Sequence, residues 1–122
     1  MHDVKHMLRF MHVSDVYSLF GNAIDNAIEA VSKVDKREKR TVSLMVRESR
    51  GMVYIGLENG YTGTIEFEDD LPVTTKQDKR FHGFGTKSMR NVVEKYGGTM
   101  VINASDNIFR LNILLPVPGA KV

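Results

Sequence analysis

From Val16 to Val34 the apolar residues Leu19, Phe20, Ala23, Ala27, Val31 and Val34 recur at helical spacing, with Ile24 and Ile28 widening the stripe. A stripe of that length has to be buried against another layer, and two pairs of alternating segments supply one. Thr41 to Glu48 alternates Val42, Leu44 and Val46, and Met52 to Glu58 alternates Val53, Ile55 and Leu57 behind a Ser49-Arg50-Gly51 turn. Thr99 to Ala104 and Ile108 to Leu115 form a second hairpin around Ser105-Asp106-Asn107, closed by Pro116 and Pro118. Before it, Met89, Val92, Val93 and Tyr96 mark another amphipathic helix, which Gly97 and Gly98 stop.

Ser14 and Asp15 offer an N-cap and an acidic first turn for the first helix, and Val4 to Met11 reads as a strand or approach segment. The charged run Asp35 to Arg40 reads as a solvated loop. Residues Asn59 to Gly85 show no sustained period, and structureless stretches of that length are uncommon in compact domains unless functional, so a lid is expected there. The order helix, hairpin, long loop, helix, hairpin suits helices on one face of a largely antiparallel sheet.

With 122 residues the chain is expected to make one compact unit with a single core. Its 42% hydrophobic and 26% charged residues are ordinary for a globular protein. The formal charge of +2 comes from 17 basic and 15 acidic residues that are largely interspersed, so no basic field for nucleic acid is evident. There are no cysteines, which excludes disulfides, thiolate metal sites and cysteine nucleophiles and fits a reducing, cytoplasmic setting. No apolar run approaches the roughly 20 residues that span a bilayer, and no signal-peptide pattern opens the chain. A sensor or membrane anchor attached upstream stays open.

Opposite the apolar face of the first helix, Asn22, Asn26, Glu29 and Lys33 fall in a narrow polar stripe. A solvent-exposed face would account for such a stripe. Asparagine, however, competes with the helix backbone for hydrogen bonds, so two of them one turn apart invite another reason. An amide oxygen is a hard neutral ligand suited to Mg²⁺, which keeps several waters and shares the phosphates of a nucleotide. The second signal is His82-Gly83-Phe84-Gly85-Thr86-Lys87-Ser88-Met89 running into a helix, where glycines let backbone approach an anion and the helix start supplies N–H donors. A P-loop needs Gly directly before Lys-Ser/Thr, yet Thr86 intervenes; a dinucleotide fingerprint needs a third glycine where Ser88 stands. Lys87, near the positive end of that helix, either faces phosphate or is solvated.

Leu19-Phe20-Gly21-Asn22-Ala23-Ile24-Asp25-Asn26-Ala27-Ile28-Glu29-Ala30 resembles the N box of the GHKL superfamily of ATP-binding domains, which includes gyrase-type ATPases, ninety-kilodalton chaperones, histidine kinases and mismatch-repair ATPases. The resemblance implies that Asn26 coordinates Mg²⁺ on the ATP phosphates, with Asn22 and Glu29 in the same pocket. Hydrolysing branches place a glutamate general base where this chain has Asn22. An amide cannot take a proton from water at neutral pH, so hydrolysis is disfavoured while transfer to a supplied nucleophile is not. Gly83 and Gly85, flanked by His82, Thr86 and Lys87, fall on the family's second glycine box, whose inferred job is to close a lid on the phosphates.

Leu71-Pro72-Val73-Thr74-Thr75-Lys76, His82-Gly83-Phe84-Gly85 and Tyr96-Gly97-Gly98 are most similar to quorum-sensing, Agr-type sensor histidine kinases. Lys76 is expected on the mobile lid with Lys79 and Arg80, the last two reading as solvated. Most relatives carry an aspartate in D-x-G-x-G as acceptor for the adenine amino group. This chain has Leu57-Glu58-Asn59-Gly60-Tyr61-Thr62-Gly63, and aligning Gly63 with the last glycine puts Asn59 at the adenine position, whereas a shift by one puts Glu58 there. A neutral acceptor there is weaker than an ionised one. His2-Asp3 resembles the phosphoacceptor box of the same kinases, but the stretch from His6 to Ser14 is too short for the dimerising helical hairpin that carries it.

The resemblance implies an α+β fold, a two-layer α/β sandwich of Bergerat type with a mixed, mostly antiparallel sheet and helices on one face. It divides the chain into an incoming strand or linker over 1–13, an ATP-binding catalytic domain over 14–118 with a lid at about 60–85, and a tail over 119–122. It further implies Mg²⁺ and ATP as cofactors and, as partners, a phosphoacceptor histidine domain and a response regulator, the intact protein being homodimeric and open to membrane anchoring. The alternatives are a non-catalytic nucleotide-sensing or partner-docking module and a serine kinase of the anti-sigma type.

Overall fold

In the computed structural model, which describes residues 3–72 and 83–119, the described residues fold into three α-helices and a short 3-10 turn at Arg37–Lys39 over a four-stranded antiparallel sheet, with a small second ribbon. The N-terminal stretch departs from the expected strand: Val4–Met7 is a one-turn helix, α1, capped by Asp3, whose Oδ1 accepts from the backbone N–H of His6. Met7, Leu8 and Met11 have the spacing of a helical face, and all three are buried in the core.

Helix α2 spans Val13–Ser32 and begins before the expected Ser14 cap. His12 is the cap instead, its extended backbone and its ring Nδ1 accepting from the Ser14 N–H, which leaves Asp15 in the first turn. Leu19, Ala23 and Ala27 point into the core. Ile28, expected to widen that face, is 56% exposed. It is rotated about 100° from Ala27, past the edge of the contact.

Strands β1 (Val42–Ser49) and β2 (Met52–Gly60) pair across Arg50 and Gly51, which both have positive φ, as a two-residue type I′ turn requires. Strands β5 (Thr99–Ser105) and β6 (Ile108–Pro116) pair in the same way across Asp106 and Asn107. Ser49 and Ser105, expected in the turns, belong to the strands. The sheet order is β1-β2-β6-β5, so the segment leaving β2 returns to pair with it through β6. Val53, Ile55, Leu57, Leu111, Ile113 and Leu115 face the helices and are buried, while Met45 and Val101 stand exposed on the other face. As the edge strand, β1 leaves Val42 and Leu44 largely exposed despite their alternation.

Within the expected lid, Phe67–Glu68 (β3) and Leu71–Pro72 (β4) make a small antiparallel ribbon around Asp69 and Asp70, both at positive φ. Leu71 joins the core, and the Arg90 guanidinium donates to the Asp69 carbonyl at 2.8 Å, tying the ribbon to the next helix. That helix, α3, spans Gly83–Lys95 and buries Met89, Val92 and Val93. It ends as the sequence predicts. Gly97 takes φ +74°, its N–H donates to Glu94 and that of Gly98 to Val93, a Schellman closure.

Candidate functional site

Asn22 and Asn26 lie half-buried on the flank of α2 that faces the start of α3. A Cβ built at Gly85 would sit 3.4 Å from Asn22 Oδ1 and 3.6 Å from both amide atoms of Asn26. The missing side chain at Gly85 thus leaves a gap of about one methyl group between the α3 backbone and the two carboxamides. Asn22 donates weakly to Ser18 Oγ one turn back, at 3.5 Å. Among the described residues the Asn26 amide has no side-chain hydrogen-bond partner, so both its donor and its acceptor are open toward Gly85. Two hard amide oxygens beside helix N–H groups form a donor set that fits a magnesium-bound phosphate.

Glu29, on the same stripe, is half-buried and lies 3.8 Å from Lys33, one turn on. Gly83 opens α3, Thr86 is 3% exposed, and Lys87 is exposed. Lys76 and His82, with Lys79 and Arg80, lie outside the described residues.

Asn59 comes from the sheet, near the end of β2. It closes the inward row of β2 and is 3% exposed, its Nδ2 donating to the Gly60 carbonyl at 3.0 Å, which leaves Oδ1 as a neutral acceptor. The strand end is held on two sides: the Gly60 N–H donates to Thr41 and the Tyr61 N–H to Asn107. Beside it opens a cleft of about 580 Å³ that Val34, Lys39, Thr41, Asn59, Tyr61 and Asn107 help to line. That volume is within the range of small-molecule sites. Asn22, Asn26 and Gly85 do not line the cleft. Val34 at its edge follows the end of α2, whose last six residues after Asn26 rise about 9 Å. Gly63, expected to close the adenine box, has φ +87° in an exposed loop, and no described residue other than its chain neighbours lies within 4 Å of where its Cβ would be.

The sequence gives no warning of a polar cluster at the far end of the helix pair. Lys95 Nζ lies 2.8 Å from Asp15 Oδ2, the Tyr96 hydroxyl donates to the same oxygen, and the His12 N–H donates to that hydroxyl at 2.9 Å. The bond from Lys95, then that from Tyr96, holds the Asp15 carboxyl below its ordinary range, and Asp15 in turn raises Lys95. Phe10 meets the Tyr96 ring edge-on at 6.0 Å. Tyr96 reads in the sequence as one more position on an apolar face, and Asp15 as a first-turn acid; no spacing pairs them.

Helices stacked on one face of such a sheet make a two-layer α+β domain, in which a carboxamide pair meets a glycine at the start of the second long helix. Two nucleotide-free structures of the catalytic domain of histidine kinase ThkA share this fold, with TM-scores of 0.63 and 0.60 at 19% and 18% identity. Each comparison covers 84% of this chain and 66% of the ThkA chain, so the chain spans just under two thirds of their length. No curated protein matches the chain in sequence. The family model for the GHKL domain matches residues 11–116, and the chain belongs to that family. It is a GHKL ATPase domain resembling histidine kinase catalytic domains.

Proposed function

We propose that the domain binds Mg²⁺-ATP and presents the γ-phosphate to a histidine on a separate dimerisation segment. The observation that carries this reading is the approach of Gly85 to the amides of Asn22 and Asn26, in a chain of the GHKL family. Asn26 and Asn22 would hold the metal and phosphates from α2, and the N–H groups of the first turn of α3 would bind phosphate oxygens. Bound Mg²⁺ would neutralise phosphate charge and orient the transferring group. Asn59 would accept from the adenine amino group through Oδ1, with residues at about 60–85 serving as lid.

Neither asparagine can deprotonate water, which favours transfer to a partner's nucleophile over hydrolysis. A phosphoacceptor domain and a response regulator are the partners this reading requires, in a cytoplasmic setting. Asn26→Ala is expected to abolish Mg²⁺-dependent ATP binding in calorimetric titration while leaving the urea unfolding midpoint in place. Wild-type affinity in that variant would reject the assignment.

One observation favours a second reading, a nucleotide-sensing module without productive transfer. The Asn59 amide spends its donor on Gly60 and keeps a neutral acceptor where an ionised one binds better. Supplying the domain with a phosphoacceptor hairpin and ATP separates the two, since only the kinase yields acid-labile phosphohistidine. An acid-stable product would point to the serine kinase instead.

A further inference from the structure

Asp15 near the start of α2 meets Tyr96 at the end of α3, and Asn26 further along α2 meets Gly85 near the start of α3. The two helices therefore run antiparallel. Asn26 follows Asp15 by eleven residues and Tyr96 follows Gly85 by eleven. Eleven residues make about three turns, so on each helix both contacts fall on one face, roughly 16 Å apart.

Between them the buried residues are Leu19 and Ala23 on α2 and Thr86, Met89, Val92 and Val93 on α3, apolar except for Thr86 beside Gly85. Apolar packing is non-directional and by itself fixes axial position weakly. The hydroxyl–carboxylate bond is directional, and it is reinforced by Lys95 on the same oxygen and by the His12 N–H on the hydroxyl. A slip of one residue shifts α3 by about 1.5 Å along α2. At Gly85, where an added Cβ would already sit 3.4 Å from Asn22, such a slip changes which backbone groups face the amides.

We propose that Tyr96 is a positioning residue that, through Asp15, fixes the axial register of α3 on α2 and so sets how the Gly85 backbone meets Asn22 and Asn26. The proposal rests on the reading of that meeting point as the nucleotide site. Its consequence is that a hydroxyl three turns from the site controls affinity without touching ligand.

The test titrates Mg²⁺-ATP by calorimetry into the wild type, Tyr96→Phe, Asp15→Ala, Asp15→Asn and the Tyr96→Phe/Asp15→Ala double variant, each shown by urea unfolding to be folded in the titration buffer. NMR then follows the Gly85 N–H and the side-chain amides of Asn22 and Asn26 without nucleotide. Tyr96→Phe and Asp15→Ala should each weaken binding, roughly three- to tenfold, and Asp15→Ala at least as much because it also removes the Lys95 contact. The double variant should lose less than the product of the two single losses, because both substitutions remove the shared hydroxyl–carboxylate bond. Asp15→Asn keeps an acceptor for the hydroxyl and should restore most of the affinity.

The Gly85 and Asn26 signals should move in nucleotide-free Tyr96→Phe. A lowered urea midpoint with unchanged affinity and unmoved signals would make the cluster a structural staple only and overturn the proposal, as would losses that multiply in the double variant. Absence of Mg²⁺-ATP binding in the wild type would instead defeat the reading of the site, and the NMR comparison would still decide whether Tyr96 sets the register.

Discussion

Gly85→Ala separates folding from binding because the structure assigns the two effects opposite signs. The added methyl would lie 3.4 Å from Asn22 Oδ1 and 3.6 Å from the Asn26 amide, ordinary contacts that require no backbone movement. Gly85 sits inside α3 and outside the left-handed region, so alanine suits its conformation. Replacing a helical glycine by alanine gains up to about 1 kcal/mol, and in a first turn about half of that is a fair expectation. The urea midpoint should hold or rise.

The same methyl occupies the gap between α3 and the two amides. Mg²⁺ holds its ligands at about 2.0–2.1 Å in near-ideal octahedral geometry and keeps several waters, which leaves no tolerance for a carbon placed among the ligands. Binding of Mg²⁺-ATP should therefore weaken at least about tenfold, or about 1.4 kcal/mol. Calorimetry and urea unfolding on the same preparations measure both. A more stable variant that has lost its nucleotide cannot be explained as misfolded, whereas wild-type affinity in Gly85→Ala would refute the placement of the phosphates between these helices.

Gly98→Ala should act in the opposite way, on stability: its Cβ would collide with the Leu114 carbonyl oxygen and lie 2.8 Å from Leu115 Cδ2 and 3.2 Å from Val93. Overpacking of this kind costs about 1–3 kcal/mol, so an unchanged urea midpoint would contradict the packing of α3 on β6. The Asp15 cluster predicts a pH window. Asp15 is held below its ordinary 3.8, so its contribution is present above that pH and is lost as the pH falls through the lower folded value; Lys95 is raised above 10.5, so its share persists below that pH and is lost at higher pH. The gap in urea midpoint between the wild type and Asp15→Ala should be flat through neutral pH and narrow as the pH falls below 3.8 or rises above 10.5. A gap that changes near neutral pH would point to another titrating group.

The sheet was legible because each of its strands is long enough to show period two and each hairpin turns on two residues suited to positive φ, Arg50-Gly51 and Asp106-Asn107. The same reasoning could not find the β3–β4 ribbon, since two-residue strands display no alternation; its signal is the Asp69-Asp70 pair between Glu68 and Leu71. Alternation also says which way a side chain points and not what covers it. Val42 and Leu44 point to the helix side like Val46, yet lie at an edge where the helix layer runs out. The N-terminal stretch misled because Val4 and Met7 fit a short strand as well as one helical turn, and the Asp3 cap decides between them.

For the site, the four-residue spacing of Asn22 and Asn26 places both on one flank of a helix, and the chain's own periodicity fixes which flank is polar. What meets that flank is a matter of how two helices lie against each other. Of the two glycines ahead of Thr86, the contact found at the amides is made by Gly85, and this depends on the axial register of α3, which no local pattern encodes. The residues that hold that register, Asp15 and Tyr96, are 81 apart and of types that are commonplace in a first turn and on an apolar face. The elements of this domain are thus written in short-range periodicity, whereas the geometry on which phosphate binding would depend draws on long-range polar contact between the helices at Asp15, Lys95 and Tyr96. Substitutions that spare every element but touch that contact should therefore alter nucleotide affinity while leaving the sheet and its hairpins as they are.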